Sequence, residues 1–160
     1  MIYFGFRKHD GSTYEKLVTA FTGTQVHVDL VVDNVAYSAY VGETFSTNEV
    51  AMENPLYEYL TLAVSYDEKE KIKDWLQKHV DLKTPYNYND LCYCVMPLPY
   101  LKDVQDPKSL FCSQACVLAL REGIEENEDL KKALATLNSR TCTPNKLYKF
   151  IKPFCIKNDE

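Results

Sequence analysis

Short runs of apolar, β-branched and aromatic residues predict the strands of a sheet. Residues 2–6 read IYFGF and residues 56–64 read LYEYLTLAV, and both runs have the length and composition of strands. Between them, residues 24–42 place such residues on both sides of Asp33 and Asn34. Asp and Asn tolerate the backbone of a two-residue hairpin turn, so this segment predicts a β-hairpin.

Apolar residues that recur at helical spacing predict the helices. We expect helices over residues 12–23, 67–80 and 110–121, around Leu130 to Leu137, and from Thr143, as N-cap before Pro144, to a stop at Pro153. The first two carry a capping-box pattern, Ser12 with Glu15 and Asp67 with Glu70. The Pro- and Tyr-rich residues 84–101 predict a broken helix or a long surface loop. This order of elements predicts an α+β fold, with a mostly antiparallel sheet packed against helices.

Composition and charge limit the classes of protein to which this chain is expected to belong. The 160 residues predict a single domain over 1–160, and 46% hydrophobic with 26% charged residues is typical of a soluble globular chain. No run approaches the roughly 18 apolar residues of a membrane span, and residues 1–11 turn charged too early for a signal peptide. We therefore expect a cytoplasmic protein whose six cysteines stay reduced. A net charge of −5 without a Lys and Arg cluster argues against nucleic acid as a partner.

One of the three histidines lies within a predicted strand. His9 in a charged turn and His79 near a helix end are predicted to be surface residues. Alternation along the strand puts His27 and Asp29 on one face. The predicted two-residue turn pairs residue 29 with residue 38, so that His27, Asp29 and Ser38 cluster on that face. The pattern predicts an imidazole with two possible orienting partners, the alternative being a half-exposed strand histidine without a function.

Cys112 stands at the start of the predicted helix over residues 110–121. With Ser109 as the N-cap, Cys112 falls in the first turn. There the helix field and a nearby histidine lower the pKa of a thiol and activate it. Cys116, one turn further along, is predicted to face the core as an unreactive thiol.

A zinc site is the alternative use of the cysteines. Cys92, Cys94, Cys112 and Cys116 form C-x-C and C-x₃-C pairs, whereas structural zinc sites usually use C-x₂-C pairs. The sequence contains no HExxH or GxSxG motif and no phosphate-binding glycine loop. We therefore expect no metal and no cofactor, and keep a zinc-stabilised interaction module as the less favoured hypothesis.

Several segments together resemble a known family. They are HVDLVV, AYSAY, YNYNDL, LFCSQACVLAL and TPNKLYKFI, which span about residues 26–151. The arrangement resembles the circularly permuted NlpC/P60 (papain-like) proteins, in the branch found in large DNA viruses and phages. In that permuted group the histidine strand precedes the cysteine helix, as it does here. The resemblance implies a permuted papain-like NlpC/P60 fold.

The resemblance also implies a thiol hydrolase with a catalytic set. Cys112 corresponds to the nucleophile and His27 to the base. The third, orienting position falls at Ser38, with Asp29 as the rival on the same face and Glu43 as a more remote one. A serine is short and uncharged, so the identity of the orienting residue stays open at this point.

Two further positions enter through the resemblance. Tyr88 in YNYNDL corresponds to a tyrosine that flanks the helix, and we expect it to line the substrate and oxyanion region; the alternative is a core aromatic. Gln114 stands where family members usually carry an acidic residue.

The resemblance implies an activity and a location. The expected enzyme is a peptidase, amidase or acyltransferase that acts on a peptide, an amide or an acyl lipid through a thioester. A viral protein of this kind would reside in the host cytoplasm or the virion. The alternative is an inactive viral structural protein of the same fold, with virion proteins as partners. An exposed, reactive Cys112 favours the enzyme, and a buried one favours the structural protein.

Overall fold

The chain forms an antiparallel sheet that is followed by helices. In a computed structural model, the described residues are 1–9, 23–50, 53–95, 102–103 and 107–156. Their strands are β1 (Ile2–Lys8), β2 (Gln25–Val32), β3 (Val35–Ser38), β4 (Ser46–Glu49) and β5 (Tyr57–Leu62). Their helices are α1 (Tyr66–Asp81), α2 (Tyr88–Val95), α3 (Cys112–Gly123), α4 (Glu128–Thr136) and α5 (Pro144–Ile151), with 3₁₀ turns at Ser139–Thr141 and Lys152–Phe154. The helix predicted over residues 12–23 lies outside the described residues.

The described strands form one sheet in the order β4-β3-β2-β1-β5, and each neighbouring pair is antiparallel. The prediction of an α+β fold with a mostly antiparallel sheet is therefore confirmed. β4 has no counterpart among the predicted strands, because its residues STNE lack the apolar alternation that marks a half-buried strand. It pairs with β3 at the sheet edge, where Ser38 lies opposite Ser46.

The hairpin of β2 and β3 has the predicted register. Val32 lies opposite Val35, and Leu30 lies opposite Tyr37. Asp33 and Asn34 have φ angles of 49° and 61°, which is the left-handed backbone of a type I′ turn. The two-residue turn therefore sets which residues of the two strands face each other.

The start of α1 differs from the predicted one. Ser65, rather than Asp67, is the N-cap: its Oγ accepts a hydrogen bond from the Glu68 N–H at 3.4 Å, and Glu68 Oε2 accepts one from the Ser65 N–H at 3.0 Å. Both this pair and Asp67 with Glu70 fit the capping-box pattern, so the prediction was wrong by two residues. Glu68 Oε1 also accepts a hydrogen bond from the Glu125 N–H at 2.8 Å, a tertiary contact that favours the observed start.

The core forms where α3 packs against both β2 and α1. Ile72 and Leu76 of α1 are buried, and Phe4 of β1 lies in the same cluster. Gly123, the last residue of α3, permits the close approach of the two helices. A Cβ at Gly123 would lie 2.3 Å from Ile72 Cγ1 and 2.8 Å from the Glu68 carbonyl oxygen. Here glycine serves packing and not a special backbone conformation.

His79 contradicts its prediction as a surface residue. It is 2% exposed, and its Nδ1 lies 2.9 Å from Thr84 Oγ1. The Trp75 ring, one helical turn earlier, lies 4.1 Å from the His79 ring. The ring is therefore covered from its own helix and from the residues that follow it. His9 is exposed, as predicted.

Residues 84–101 contain a short helix, α2, which agrees with the broken-helix alternative. Among the helices of the described residues, none combines the length and the apolar character needed to cross a membrane.

Candidate active site

His27, Asp29 and Ser38 meet as the hairpin register predicts. His27 Nε2 lies 2.9 Å from Asp29 Oδ1 and 2.9 Å from Ser38 Oγ, and all three side chains are buried. The Ser38 hydroxyl donates its own hydrogen bond to the Val28 carbonyl oxygen at 3.0 Å. Since that proton is committed, Ser38 Oγ can only accept from His27. The Nε2–H therefore points at both Asp29 and Ser38, and Nδ1 is the ring nitrogen left for another group.

The first helical position of α3 is Cys112, with Phe111 as the N-cap and no side-chain cap. The prediction of Ser109 as the N-cap was wrong, because Leu110 pairs with Tyr86 in a parallel bridge and stays extended. Cys112 nevertheless lies in the first turn, as predicted. The N–H groups there have no intrahelical acceptor, and the helix dipole is positive at this end.

Cys112 lies close enough to His27 to influence the pKa of the imidazole. Burial by itself lowers the pKa of His27, but the charge of Cys112 and the hydrogen bonds to Asp29 and Cys112 outweigh it and raise the pKa to about 10. Burial raises the pKa of Asp29, and its hydrogen bond and attraction to His27 more than offset this and lower it. These directions mean that the imidazole binds a proton more strongly when Cys112 and Asp29 carry a negative charge. Cys112 is 5% exposed and His27 is 7% exposed.

Two tyrosines that the predictions did not include complete the surroundings of His27. The Tyr40 ring stacks on the imidazole, with centroids 4.3 Å apart and planes at 25°, and its hydroxyl donates to Asp29 Oδ1 at 3.3 Å. The Tyr57 hydroxyl is hydrogen-bonded to Tyr40 and Asp29, and burial, then the charge of Asp29, raises the pKa of both phenols. The signal for Tyr40 was present in the sequence, because the register that pairs 29 with 38 also pairs 27 with 40.

The Tyr57 side chain reaches the His27 cluster over β1, where that strand contains a glycine. Gly5 lies opposite Asp29 on one side and opposite Tyr59 on the other. A Cβ at Gly5 would lie 2.8 Å from Tyr59 Cε1 and 3.3 Å from Tyr57 Cδ1. The missing side chain thus lets the two aromatic rings of β5 cover the central strand next to Asp29.

A buried polar network holds the start of α3 against α2. Asp90 Oδ2 accepts hydrogen bonds from Asn87 Nδ2 at 2.8 Å and Gln114 Nε2 at 3.0 Å, and Asp90 Oδ1 accepts from Arg140 Nε and Nη2 at 2.9 and 2.8 Å. Asn87 Nδ2 also lies 3.3 Å from Gln114 Oε1. Gln114 is therefore fully engaged inside the protein. No periodic sequence signal marks this set, since its members come from three elements.

Tyr88 and Glu43 lie apart from the core. Tyr88 is 52% exposed at the start of α2, so the core-aromatic alternative was wrong. Its ring lies 5.0 Å from the Tyr86 ring, and its hydroxyl lies 3.9 Å from the position of a Cβ built at Gly42. Glu43, the more remote candidate for the orienting residue, is an exposed turn residue. The side chains that contact Nε2 of His27 are those of Asp29 and Ser38.

Three further cysteines lie in surroundings that disfavour their thiolate form. Burial raises the pKa of Cys94 and Cys142 to about 12, and raises that of Cys116 well above its ordinary value. The prediction of a buried, unreactive Cys116 agrees with this environment. Within the described part of the chain, no group of three or more His, Cys, Asp and Glu side chains is placed to hold a metal ion. Cys92 is exposed, whereas Cys116 is buried, so the zinc alternative has no donor set there.

Comparison with models of protein families, with curated proteins and with solved structures finds no match to this chain. The resemblance to the permuted NlpC/P60 proteins therefore stays a prediction.

Proposed function

We propose that this protein is a thiol hydrolase or acyltransferase with a permuted papain-like NlpC/P60 fold. Cys112 is the nucleophile, His27 is the base, and Asp29 is the main orienting residue. The observation that carries the proposal is the contact of three elements at one imidazole: Asp29 and Ser38 of the hairpin at Nε2, and Cys112 at the start of α3. A thiol, an imidazole and a carboxylate in this order are the parts of a nucleophilic triad.

The first half of the reaction follows from the ring geometry. Because Nε2–H is held by Asp29, Nδ1 takes the proton of the Cys112 thiol. The thiolate sulfur then attacks the carbonyl carbon of an amide or ester, and the carbonyl oxygen becomes an oxyanion near the unpaired N–H groups that open α3.

The second half regenerates the thiol. The carbon–nitrogen or carbon–oxygen bond breaks, and the imidazolium of His27 gives its proton to the leaving amine or alcohol. The resulting thioester at Cys112 is attacked by water, or by an acceptor amine or alcohol, whose proton returns to His27. The carbon–sulfur bond then breaks, which releases the acid or the transferred acyl product and restores Cys112 and a neutral or ion-paired His27.

The substrate class is proposed only as broadly as the chemistry allows. A peptide, a simple amide and an acyl lipid all offer the carbonyl that this mechanism needs. We propose that the exposed Tyr88 contacts such a substrate. The Tyr88 ring contacts that of Tyr86, and Tyr86 forms a β-bridge with Leu110, which lies two residues before Cys112.

A non-catalytic structural protein, such as a component of a virion, is the second candidate. The observation that favours it is burial: Cys112 and His27 are only 5% and 7% exposed. A substrate must reach the sulfur atom, and a buried Cys–His pair without access would serve packing alone. The two candidates differ in one measurable property, which is the reactivity of Cys112 toward a small reagent.

The deciding experiment is alkylation of Cys112 by iodoacetamide as a function of pH, quantified at this residue by peptide mass spectrometry. We compare wild type with His27→Ala, and use His9→Ala as the matched control at an exposed histidine. Fast alkylation at about pH 6 that is slowed in His27→Ala and unchanged in His9→Ala supports the enzyme, since a free thiol with a pKa of about 8.5 is largely protonated there. A protected or ordinary thiol in wild type contradicts it and favours the structural protein. An active pair is then tested on a panel of amide and ester substrates.

A further inference from the structure

Tyr40 contacts both members of the His27–Asp29 pair at once. Its ring lies over the imidazole with centroids 4.3 Å apart, and its hydroxyl donates to Asp29 Oδ1 at 3.3 Å. That oxygen is the one that His27 Nε2 approaches at 2.9 Å. The Tyr40 side chain therefore covers the His27 ring and also donates a hydrogen bond to the Asp29 oxygen that orients this ring.

Each contact has a physical consequence for the pair. The ring keeps water away from the Nε2–H bond to Asp29, and a hydrogen bond in a low-dielectric setting is stronger than one in water. The face of an aromatic ring also favours a cation over a neutral imidazole. The hydroxyl of Tyr40 restricts rotation of the Asp29 carboxylate, so Oδ1 stays in line with Nε2.

The backbone holds Tyr40 in this place. Residue 40 lies two residues beyond the end of β3, and a continuation of the β2–β3 register past the observed pairs would place it opposite His27. The Glu43 N–H donates to the Tyr40 carbonyl oxygen at 3.0 Å and turns the chain there. On the far side of the cluster, the hydroxyl of Tyr57 is hydrogen-bonded to that of Tyr40.

We propose that Tyr40 is a positioning residue, which holds Asp29 on Nε2 and keeps the Nδ1 edge of His27 directed at Cys112. This inference rests on the proposed function, because it assumes that the Cys112–His27 pair reacts. It assigns a role to Tyr40 beside Cys112, His27, Asp29 and Ser38, although neither the motif nor the resemblance gave Tyr40 a role.

Several charged or titratable groups face His27, and the test must separate Tyr40 from them. Asp29 lies on the same strand, and Cys112 reaches the ring from α3. Arg7 of β1 lies opposite His27, and Tyr57 of β5 lies opposite Arg7. None of these four residues is itself replaced when only residue 40 is changed.

The test compares Tyr40→Phe and Tyr40→Leu with Tyr37→Phe and Tyr37→Leu in the full chain. Tyr37 is a buried tyrosine of the same hairpin whose neighbour across the strands is Leu30 and not His27, so it is a matched control. The readout is the pH profile of Cys112 alkylation by iodoacetamide, with thermal unfolding as the check of folding. We expect Tyr40→Phe to slow alkylation at about pH 6 by about threefold, and Tyr40→Leu by about tenfold or more, while the rates at high pH converge. The Tyr37 variants keep the wild-type profile.

Each outcome has one meaning. If wild-type Cys112 is unreactive at about pH 6, the proposed function fails and the role of Tyr40 fails with it. If wild type is reactive and both Tyr40 variants keep its profile, only the role of Tyr40 is overturned. Should Tyr40→Leu fail to fold, the isosteric Tyr40→Phe decides, together with the NMR titration of the His27 ring nitrogens, which a merely structural tyrosine would leave unchanged.

Discussion

His27 Nε2 and Asp29 Oδ1 lie 2.9 Å apart, although the two residues are neighbours on one strand and not partners on two. Alternation puts their side chains on the same face, and the short aspartate bends toward the ring. Ser38 reaches the same nitrogen from the next strand. The orienting contact with His27, which the resemblance assigns to Ser38, is thus shared by this uncharged serine and the charged Asp29.

Replacement of Asp29 tests which of the two orients His27. Asp29→Asn keeps the shape of the side chain and removes its charge, so the imidazolium loses its counter-ion. We expect alkylation of Cys112 at about pH 6 to fall by about tenfold or more, because interactions with a charged partner are the strong ones. Ser38→Ala is the comparison and should lower the rate by about threefold or less. A larger effect of Ser38→Ala than of Asp29→Asn would assign the orienting role to the serine.

The ionised pair also predicts how stability depends on pH. The pKa of His27 is raised from 6.5 to about 10, so the stability that it contributes is complete below pH 6.5 and is lost as the pH rises through 10. The pKa of Asp29 is lowered from 3.8, so its contribution is present above pH 3.8 and is lost as the pH falls further.

Urea unfolding of wild type and His27→Gln at several pH values measures this contribution. We expect wild type to be the more stable protein at about pH 6, and the difference to shrink as the pH approaches about 10. His9→Gln, at an exposed position, is the control and should show no such trend. A difference that stays constant over this range would mean that His27 does not carry a charge in the folded protein.

The network around Asp90 predicts a stability effect away from the reacting atoms. Asp90→Asn keeps the side-chain volume but removes the charge that pairs with Arg140, and leaves that guanidinium without its carboxylate. Asp90 is buried but Arg140 is partly exposed, so we expect the loss of these charged hydrogen bonds to cost about 2 kcal/mol of unfolding free energy. Chemical denaturation checks the value, with the exposed Asp129→Asn as the control. If both variants unfold like wild type, the network does not hold α3 in place.

Gly123 predicts a packing effect between α1 and α3. Gly123→Ala would place a Cβ 2.3 Å from Ile72 Cγ1, and the helices would have to move apart. Overpacking of this kind costs about 2 kcal/mol in unfolding free energy. Part of the loss should be recovered in an Ile72→Ala background, where Gly123→Ala costs less than in wild type, because alanine lacks both the Cγ1 and the Cδ1 atoms at that contact. Absence of both the loss and the recovery would show that the two helices can adjust freely.

Much of the hairpin half of the site followed from the sequence alone. The dipeptide Asp33-Asn34 sets a two-residue turn, and that turn sets the register, which brings Asp29 and Ser38 to His27. The same register reaches Tyr40. All of these contacts are local along the chain, so their geometry follows from strand alternation and turn length.

The other half of the site depended on tertiary structure. The sequence placed Cys112 in a first helical turn, but the bridge of Leu110 to Tyr86 decided where that helix begins. The place of His79 near a helix end predicted a surface residue, whereas Trp75 and Thr84 cover it in the folded protein. The approach of Cys112 to His27 and the meeting of Asp90 with Arg140 likewise join distant segments. Periodicity and capping patterns report only on near neighbours, whereas these contacts are selected by how the helices pack on the sheet.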